Sequence, residues 1–169
     1  MLVTPRRVFL FAAAALVAAF SGAAGAEPPP AETVLTVSGA IDNGGVDGAA
    51  RFDMPSIEAL PARGVRTRTP WTYGVVEFVG VPLADLLRAV GAKGQTLHMA
   101  ALNDYAVDVP TADAVKDGPI VAYRMNSRPM SVREKGPLWI IYPYDDKSQY
   151  QSERYYSRSI WQLTSIDVR

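Results

Sequence analysis

The chain has 169 residues, with 17 basic and 17 acidic side chains and no cysteine. A balance so close to neutral gives no field that would select nucleic acid or an anionic membrane surface. The lack of cysteine excludes disulfides, a thiolate nucleophile and a thiolate metal ligand.

The chain begins with a pattern typical of an export signal. Arg6 and Arg7 precede an apolar run over residues 8–20, and the small residues 24–26 follow it. The run is about 13 residues, shorter than the roughly 20 that span a bilayer, so we predict a cleaved signal peptide over residues 1–26. Residues 27–32 form a proline-rich spacer. We therefore expect a periplasmic or secreted protein.

The remaining residues, 33–169, have room for one domain with a modest core. Cleavage would remove two basic side chains and no acidic ones, so the mature chain would have a net charge of −2. Its first part alternates short apolar runs with turn residues. This pattern predicts a strand at 34–37, a turn at 42–45, a short helix at 53–60 and strands at 65–69 and 75–79.

The clearest helix begins at Pro82, and Gly91 is placed to end it. Its apolar residues recur at i, i+3, i+4 and i+7, as Leu83, Leu86, Leu87 and Val90. This spacing predicts an amphipathic helix whose single apolar stripe faces a sheet.

The second half of the domain is dominated by apolar runs of strand length. They predict strands at 96–102, 105–109, 120–125, 138–142 and 161–168, with a helical turn at Thr111. The run at 138–142 is apolar throughout, which favours a central strand. Residues 143–158 are polar and rich in tyrosine, as in a loop. The fold class that these elements predict is α+β, with a mixed β-sheet and short helices.

The chain lacks the residue types and motifs that most hydrolytic enzymes and metal sites need. There is one histidine, His98, in a predicted strand, and we expect a structural or surface role for it. The glycines match neither the P-loop nor G-x-G-x-x-G. Asp145 and Asp146 are adjacent carboxylates, which a solvated turn explains as well as an acid/base pair does.

Three stretches carry more aromatic and hydrogen-bonding groups than a core needs: residues 66–73, 103–105 and 142–161. The third holds five of the eight tyrosines, interleaved with charged residues. Rings offer stacking faces, and the polar groups offer directional donors and acceptors, which together suit a flat heteroaromatic ligand. The alternative is that the rings fill the core and the charges form surface pairs.

From about Val79 to its end, the chain resembles the oxidoreductase molybdopterin-binding domain of the sulfite oxidase family. The matching pieces, in order, are GVPLADLL at 80–87, NDYAVDVP at 103–110, AYRMN at 122–126 with RPM at 128–130, GPLWIIYP at 136–143 and WQLTSIDV at 161–168. The resemblance implies a mixed α+β fold in which a pterin lies against loops at strand ends.

One feature of the family is missing from this chain. In the enzymes, a cysteine in the loop before the GVPL segment binds molybdenum, whereas the comparable loop here is RTPWT at 68–72. Threonine is not a comparable soft ligand. The chain more closely resembles the short exported subgroup that lacks this cysteine and looks like periplasmic pterin-binding proteins. Those proteins report pterin status to a membrane-bound signalling protein, typically one that controls cyclic di-GMP.

We therefore hypothesise that the chain binds a metal-free reduced pterin, either a tetrahydropterin or a molybdopterin-like one, and acts as a sensor. Trp71 and one or more of the loop tyrosines would stack on the bicyclic ring, and amide, carboxylate and guanidinium groups would read its polar edge. The predicted site residues are Arg68, Thr69, Trp71, Asn103, Asp104, Tyr105, Tyr144, Arg154, Tyr155, Tyr156 and Arg158.

Two other interpretations stay open at this point. One is a molybdopterin-dependent oxidoreductase with a non-cysteine metal site. The other is an interaction module that keeps the fold and binds no small molecule. For the sensor we expect the periplasmic domain of a membrane cyclic di-GMP enzyme or kinase as partner, with no nucleic acid and no membrane insertion after cleavage.

Overall fold

The computed structural model of the protein describes residues 32–169. The predicted signal peptide and most of the spacer lie outside these residues. Within them the chain forms ten strands, namely β1 Thr33–Gly39, β2 Ala50–Asp53, β3 Arg63–Thr67, β4 Val76–Pro82, β5 Thr96–Ala101, β6 Ala106–Pro110, β7 Ile120–Met125, β8 Arg128–Pro129, β9 Trp139–Ile141 and β10 Leu163–Val168. The three α-helices of this part are α1 Met54–Glu58, α2 Leu83–Val90 and α3 Glu153–Ser157. None of them is long and apolar enough to cross a membrane.

The strands form two sheets. The first has the order β2-β1-β10-β5-β6, and the second has the order β3-β4-β7-β8, with β9 also paired to β7. All pairs are antiparallel except β1 and β10, which bring the two ends of the domain together in parallel. The predicted α+β class with a mixed sheet is confirmed.

The helix α2 follows its sequence pattern. Its four predicted apolar residues are all buried, and Gly91 ends it in the left-handed conformation at φ 65°. Immediately before it, the pairing of β4 with β7 shifts register between Val79 and Gly80. A Cβ atom at Gly80 would lie 2.2 Å from the carbonyl oxygen of Val121, so only glycine allows the two strands to approach this closely.

The prediction that residues 138–142 form a central strand is wrong. The strand β9 pairs with one strand, β7, and its other edge makes an isolated bridge from Trp139 to Trp161. Its residues are nevertheless buried on both faces, because Leu138 and Ile140 enter the main core while Trp139 and Ile141 enter a second, smaller cluster. Burial on both sides therefore explains the apolar run.

Three further differences come from local backbone geometry. The last strand begins at Leu163 instead of residue 161, since Gln162 has a positive φ of 52°. The short strands β2 and β8 were not predicted, because neither has an apolar run of its own. The segment 143–158, predicted as a loop, contains the helix α3 and a 3-10 turn over Ser148–Tyr150.

Candidate ligand-binding site

A cavity of about 300 Å³ opens where four segments of the chain meet. These segments are the loop after β3, the turn between β5 and β6, the helix α3, and the residues that lead from α3 into β10. The cavity is lined by Trp71, Ala101, Asn103, Tyr105, Glu153, Tyr156, Ser157, Ser159, Ile160 and Trp161. Its size lies at the lower end of the range for small-molecule sites.

Trp71 lies at the centre of the aromatic wall. Its ring centroid is 5.6 Å from that of Trp161, 5.8 Å from Trp139 and 6.0 Å from Tyr156, at tilted or edge-on angles. The loop holds this ring in place because the Thr69 hydroxyl accepts the Trp71 backbone N–H at 3.1 Å. Tilted and edge-on contacts are the favourable arrangements of neighbouring aromatic rings, so these three neighbours fix the Trp71 ring at the cavity wall.

The turn between β5 and β6 forms the opposite wall. Asp104 adopts a positive φ of 63°, and the side-chain Oδ1 of Asn103 accepts a hydrogen bond from the Tyr105 backbone N–H at 3.3 Å. Asn103 and Tyr105 thereby face the cavity, whereas Asp104 lies outside its lining. The Tyr105 hydroxyl donates to the Ser157 carbonyl oxygen at 3.3 Å, which links this turn to α3.

The helix α3 sends its two tyrosines in different directions. Neighbouring residues of a helix point about 100° apart, since one turn has 3.6 residues. Tyr156 lines the cavity, while Tyr155 packs on Tyr142 and Tyr150 with centroids 5.2 and 4.9 Å away. Tyr155 therefore belongs to the core side of α3.

Arg158 lies in a polar network away from the cavity. Its guanidinium group donates to Asp113 at 2.8 Å, in an ion pair that is largely buried, and it lies over the ring of Tyr155. The hydroxyl of Tyr142 donates to the same carboxylate at 2.7 Å. Burial, with the negative charge of Asp113, raises the pKa of Tyr142 well above its usual range. This network fastens α3 to the turn after β6.

The structure thus brings four predicted site residues to the cavity and places seven outside its lining. The four are Trp71, Asn103, Tyr105 and Tyr156, and the seven are Arg68, Thr69, Asp104, Tyr144, Arg154, Tyr155 and Arg158.

Most residues outside the lining have identifiable structural contacts. Arg68 donates to Asp145 from its backbone N–H at 3.0 Å and from its guanidinium group at 3.1 Å. Tyr144 is buried, its ring lies 5.4 Å from Tyr156, and its hydroxyl shares a hydrogen bond with Ser159. Arg154 is exposed on α3. Arg68 and Tyr144 therefore support the cavity walls without lining them.

Six lining residues were not predicted as site residues, and two of them carry distinctive chemistry. Glu153 brings a carboxylate, and Trp161 brings a fourth ring beside those of Trp71, Tyr105 and Tyr156. Both lie in the tyrosine-rich stretch over residues 142–161, so the stretch itself signalled the site. The sequence did not show which of its residues face inward, because that depends on where α3 begins.

The residues around Trp71 do not form a set of donors that fits molybdenum. The hydroxyls of Thr69 and Thr72, in the loop that the sequence resemblance compares with the family's metal-binding loop, are 2.8 Å apart and hydrogen-bonded to each other. Within residues 32–169, no three histidine, aspartate or glutamate side chains cluster closely enough to hold a metal ion. The single histidine, His98, hydrogen-bonds Asp108 on the neighbouring strand at 2.7 Å. The residues that line the cavity therefore include no soft donor for molybdenum.

Comparisons with known proteins agree with this fold. The sequence model of the family called oxidoreductase molybdopterin binding domain matches residues 48–145, more than half of the chain. The crystal structure of the sulfane dehydrogenase SoxCD from Paracoccus pantotrophus is similar, with a TM-score of 0.60 and 17% identity over 79% of this chain and 37% of that chain. No curated protein matches the chain in sequence. The predicted sulfite-oxidase-type fold is confirmed, and the chain belongs to the oxidoreductase molybdopterin-binding domain family.

Proposed function

We propose that this chain is an exported pterin-binding protein that senses a metal-free reduced pterin and signals to a membrane partner. The observation that carries the proposal is the cavity itself. Four aromatic side chains line it, those of Trp71, Tyr105, Tyr156 and Trp161, in a domain of the molybdopterin-binding family. It contains no soft metal donor.

The shape and chemistry of the cavity favour a single bicyclic ring. A volume of about 300 Å³ holds a compact heterocycle with little room for a long substituent. Asn103 and Glu153 place hydrogen-bonding groups on the lining, where the ring edge of such a ligand would lie. Tight stacking with a few polar contacts supports micromolar affinity, roughly −8 kcal/mol.

The lack of thiolate chemistry favours recognition over redox turnover. The chain has no cysteine, and the threonines of the corresponding loop bond to each other. A pterin that carries molybdenum would therefore lack its protein ligand in this cavity. The aromatic side chains that would stack on the pterin ring are still present in the cavity.

The export and signalling parts of the proposal come from the sequence. The predicted signal peptide would deliver the domain to the periplasm, where a membrane protein is the means of passing a signal to the cytoplasm. We propose the periplasmic domain of a cyclic di-GMP enzyme or a kinase as that partner. A metal-free ligand in an exported domain suits such a role because its occupancy can follow pterin supply.

Anaerobic titration of the exported protein with a tetrahydropterin tests ligand binding directly. Trp71 and Trp161 line the cavity, so tryptophan fluorescence should change on binding, with a midpoint in the micromolar range. No binding at millimolar ligand would refute the proposal. Stoichiometric molybdenum in natively exported protein would instead favour the oxidoreductase interpretation.

Cellular cyclic di-GMP tests the signalling part when the partner is a cyclic di-GMP enzyme. Deleting the gene should change the cyclic di-GMP level in cells that make pterins and leave it unchanged in cells that cannot. A change of equal size in both backgrounds would separate the protein's effect from pterin and contradict the sensor role.

A further inference from the structure

The loop between β1 and β2 caps the C-terminal end of α2. The last carbonyl groups of a helix have no partner within the helix itself. Asn43 satisfies two of those of α2: its backbone N–H donates to the carbonyl oxygen of Val90 at 3.0 Å, and its side-chain Nδ2 donates to that of Ala89 at 2.9 Å. Asn43 therefore uses its side-chain amide as a hydrogen-bond donor at the helix end.

The residue after Asn43 is a glycine that the loop requires. A Cβ atom at Gly44 would lie 2.6 Å from the carbonyl carbon and oxygen of Gly48, so only glycine allows the loop to close on itself. Residues 42–48 are exposed, and Asn43 and Gly44 border an open depression of the surface. The backbone N–H of Gly44 makes no hydrogen bond to another backbone group within residues 32–169. Its nitrogen is thus accessible to water and adjacent to the Asn43 side chain.

An asparagine followed by glycine can lose its amide without an enzyme, because glycine has no side chain to hinder the approach of its own nitrogen. The Gly44 nitrogen loses its proton and forms a bond to Cγ of Asn43, while Nδ2 leaves as ammonia. The product is a five-membered succinimide. Water then opens this ring at either carbonyl group and leaves aspartate or isoaspartate. The reaction consumes one water, releases one ammonia and needs no oxidant or cofactor.

We propose that Asn43 is a site of spontaneous deamidation and that the reaction uncaps α2. A carboxylate only accepts hydrogen bonds, so neither product can donate to the carbonyl oxygen of Ala89. The new negative charge also lies at the end of the helix where the macrodipole is negative.

The nearby cations are already paired and do not offset this charge. Arg88 in the last turn of α2 pairs with Asp85, and Lys93 pairs with Asp42 at 2.8 Å. The buried residues of α2 belong to the main core. Deamidation of Asn43 should therefore lower the stability of the whole domain as the protein ages.

Peptide mapping by mass spectrometry tests the reaction on the exported protein, after incubation at mildly alkaline pH. The chain has three asparagines, Asn43, Asn103 and Asn126, and the last two, followed by aspartate and serine, are internal controls. We expect the peptide that contains residue 43 to change first, by the mass difference between an amide and an acid and in two isomeric forms. Its conversion should become faster as pH rises, because the Gly44 nitrogen must lose its proton. Conversion at Asn43 no faster than at the other two asparagines would overturn the proposal.

Thermal unfolding of two variants tests the consequence. Asn43→Asp supplies one product of the reaction, and Asn126→Asp is a matched control with the same change of charge. The side chain of Asn126 accepts the Glu77 backbone N–H at 3.2 Å, and aspartate keeps that acceptor. Asn43→Asp should lower the unfolding midpoint by about 3–6 °C, as expected for one lost hydrogen bond in a domain of this size, and Asn126→Asp should leave it nearly unchanged. An unchanged midpoint in Asn43→Asp, or an equal fall in both variants, would refute the capping role.

Discussion

Replacing Trp71 by alanine should lower both the stability of the fold and the affinity for the ligand, and the contacts of Trp71 indicate the size of each loss. Trp71 is half-buried and contacts three other rings. A fully buried tryptophan costs about 3–5 kcal/mol when truncated to alanine. Because this ring already borders an open cavity, we expect a loss of about 2 kcal/mol in the free energy of unfolding.

The loss of affinity follows from stacking. Removing one aromatic platform beneath a heterocyclic base costs about 1–3 kcal/mol, which corresponds to about 5- to 150-fold in Kd. Urea unfolding measures the stability of Trp71→Ala, and calorimetry with a tetrahydropterin, at a temperature where the variant is folded, measures its affinity.

A second variant separates the two effects. Phe78 is fully buried and its ring lies 5.5 Å from that of Trp139, but it does not line the cavity. Phe78→Leu should therefore lose about 1–2 kcal/mol of stability with unchanged affinity. If Trp71→Ala binds the pterin as tightly as the wild type does, or if Phe78→Leu weakens binding equally, then Trp71 is not the stacking platform.

Two predictions concern the scaffold. Gly80→Ala should lower the free energy of unfolding by more than about 2 kcal/mol, because the new Cβ atom would overlap the backbone of β7. Gly64→Ala on β3 is the control: its Cβ atom would have its nearest neighbours 4.0 Å away, so urea unfolding should show a change of less than about 1 kcal/mol. Similar losses in the two variants would contradict the close approach of β4 and β7. Burial raises the pKa of Tyr142 in the folded protein, so above about pH 10 the unfolded state releases this proton first and stability falls as pH rises, by up to about 1.4 kcal/mol per pH unit. Tyr142→Phe should make this fall shallower, and Tyr73→Phe, at a fully exposed tyrosine, should leave it unchanged; an identical slope in all three proteins would refute the assignment.

Local patterns in the sequence predicted the scaffold elements that follow one dominant periodicity. The four apolar residues of α2 and its terminating glycine were placed correctly, because helix spacing and a left-handed end are properties of the local chain. The strand β7 was predicted at its observed bounds, Ile120–Met125. The strand β9 was misplaced as central, because its burial comes from two clusters and not from strands on both sides.

In the candidate site, too, some features follow from the sequence and others only from the tertiary structure. The sequence by itself determined that the chain has no thiolate ligand and that its unusual rings fall in three stretches, since both are properties of composition and order. Only the tertiary structure decided which rings face one another. Tyr155 and Tyr156 are neighbours in the chain, yet Tyr155 packs on Tyr150 and Tyr156 lines the cavity, because consecutive residues of a helix point about 100° apart. For the same reason Arg158 lies in an ion pair while Glu153, five residues earlier, faces the cavity.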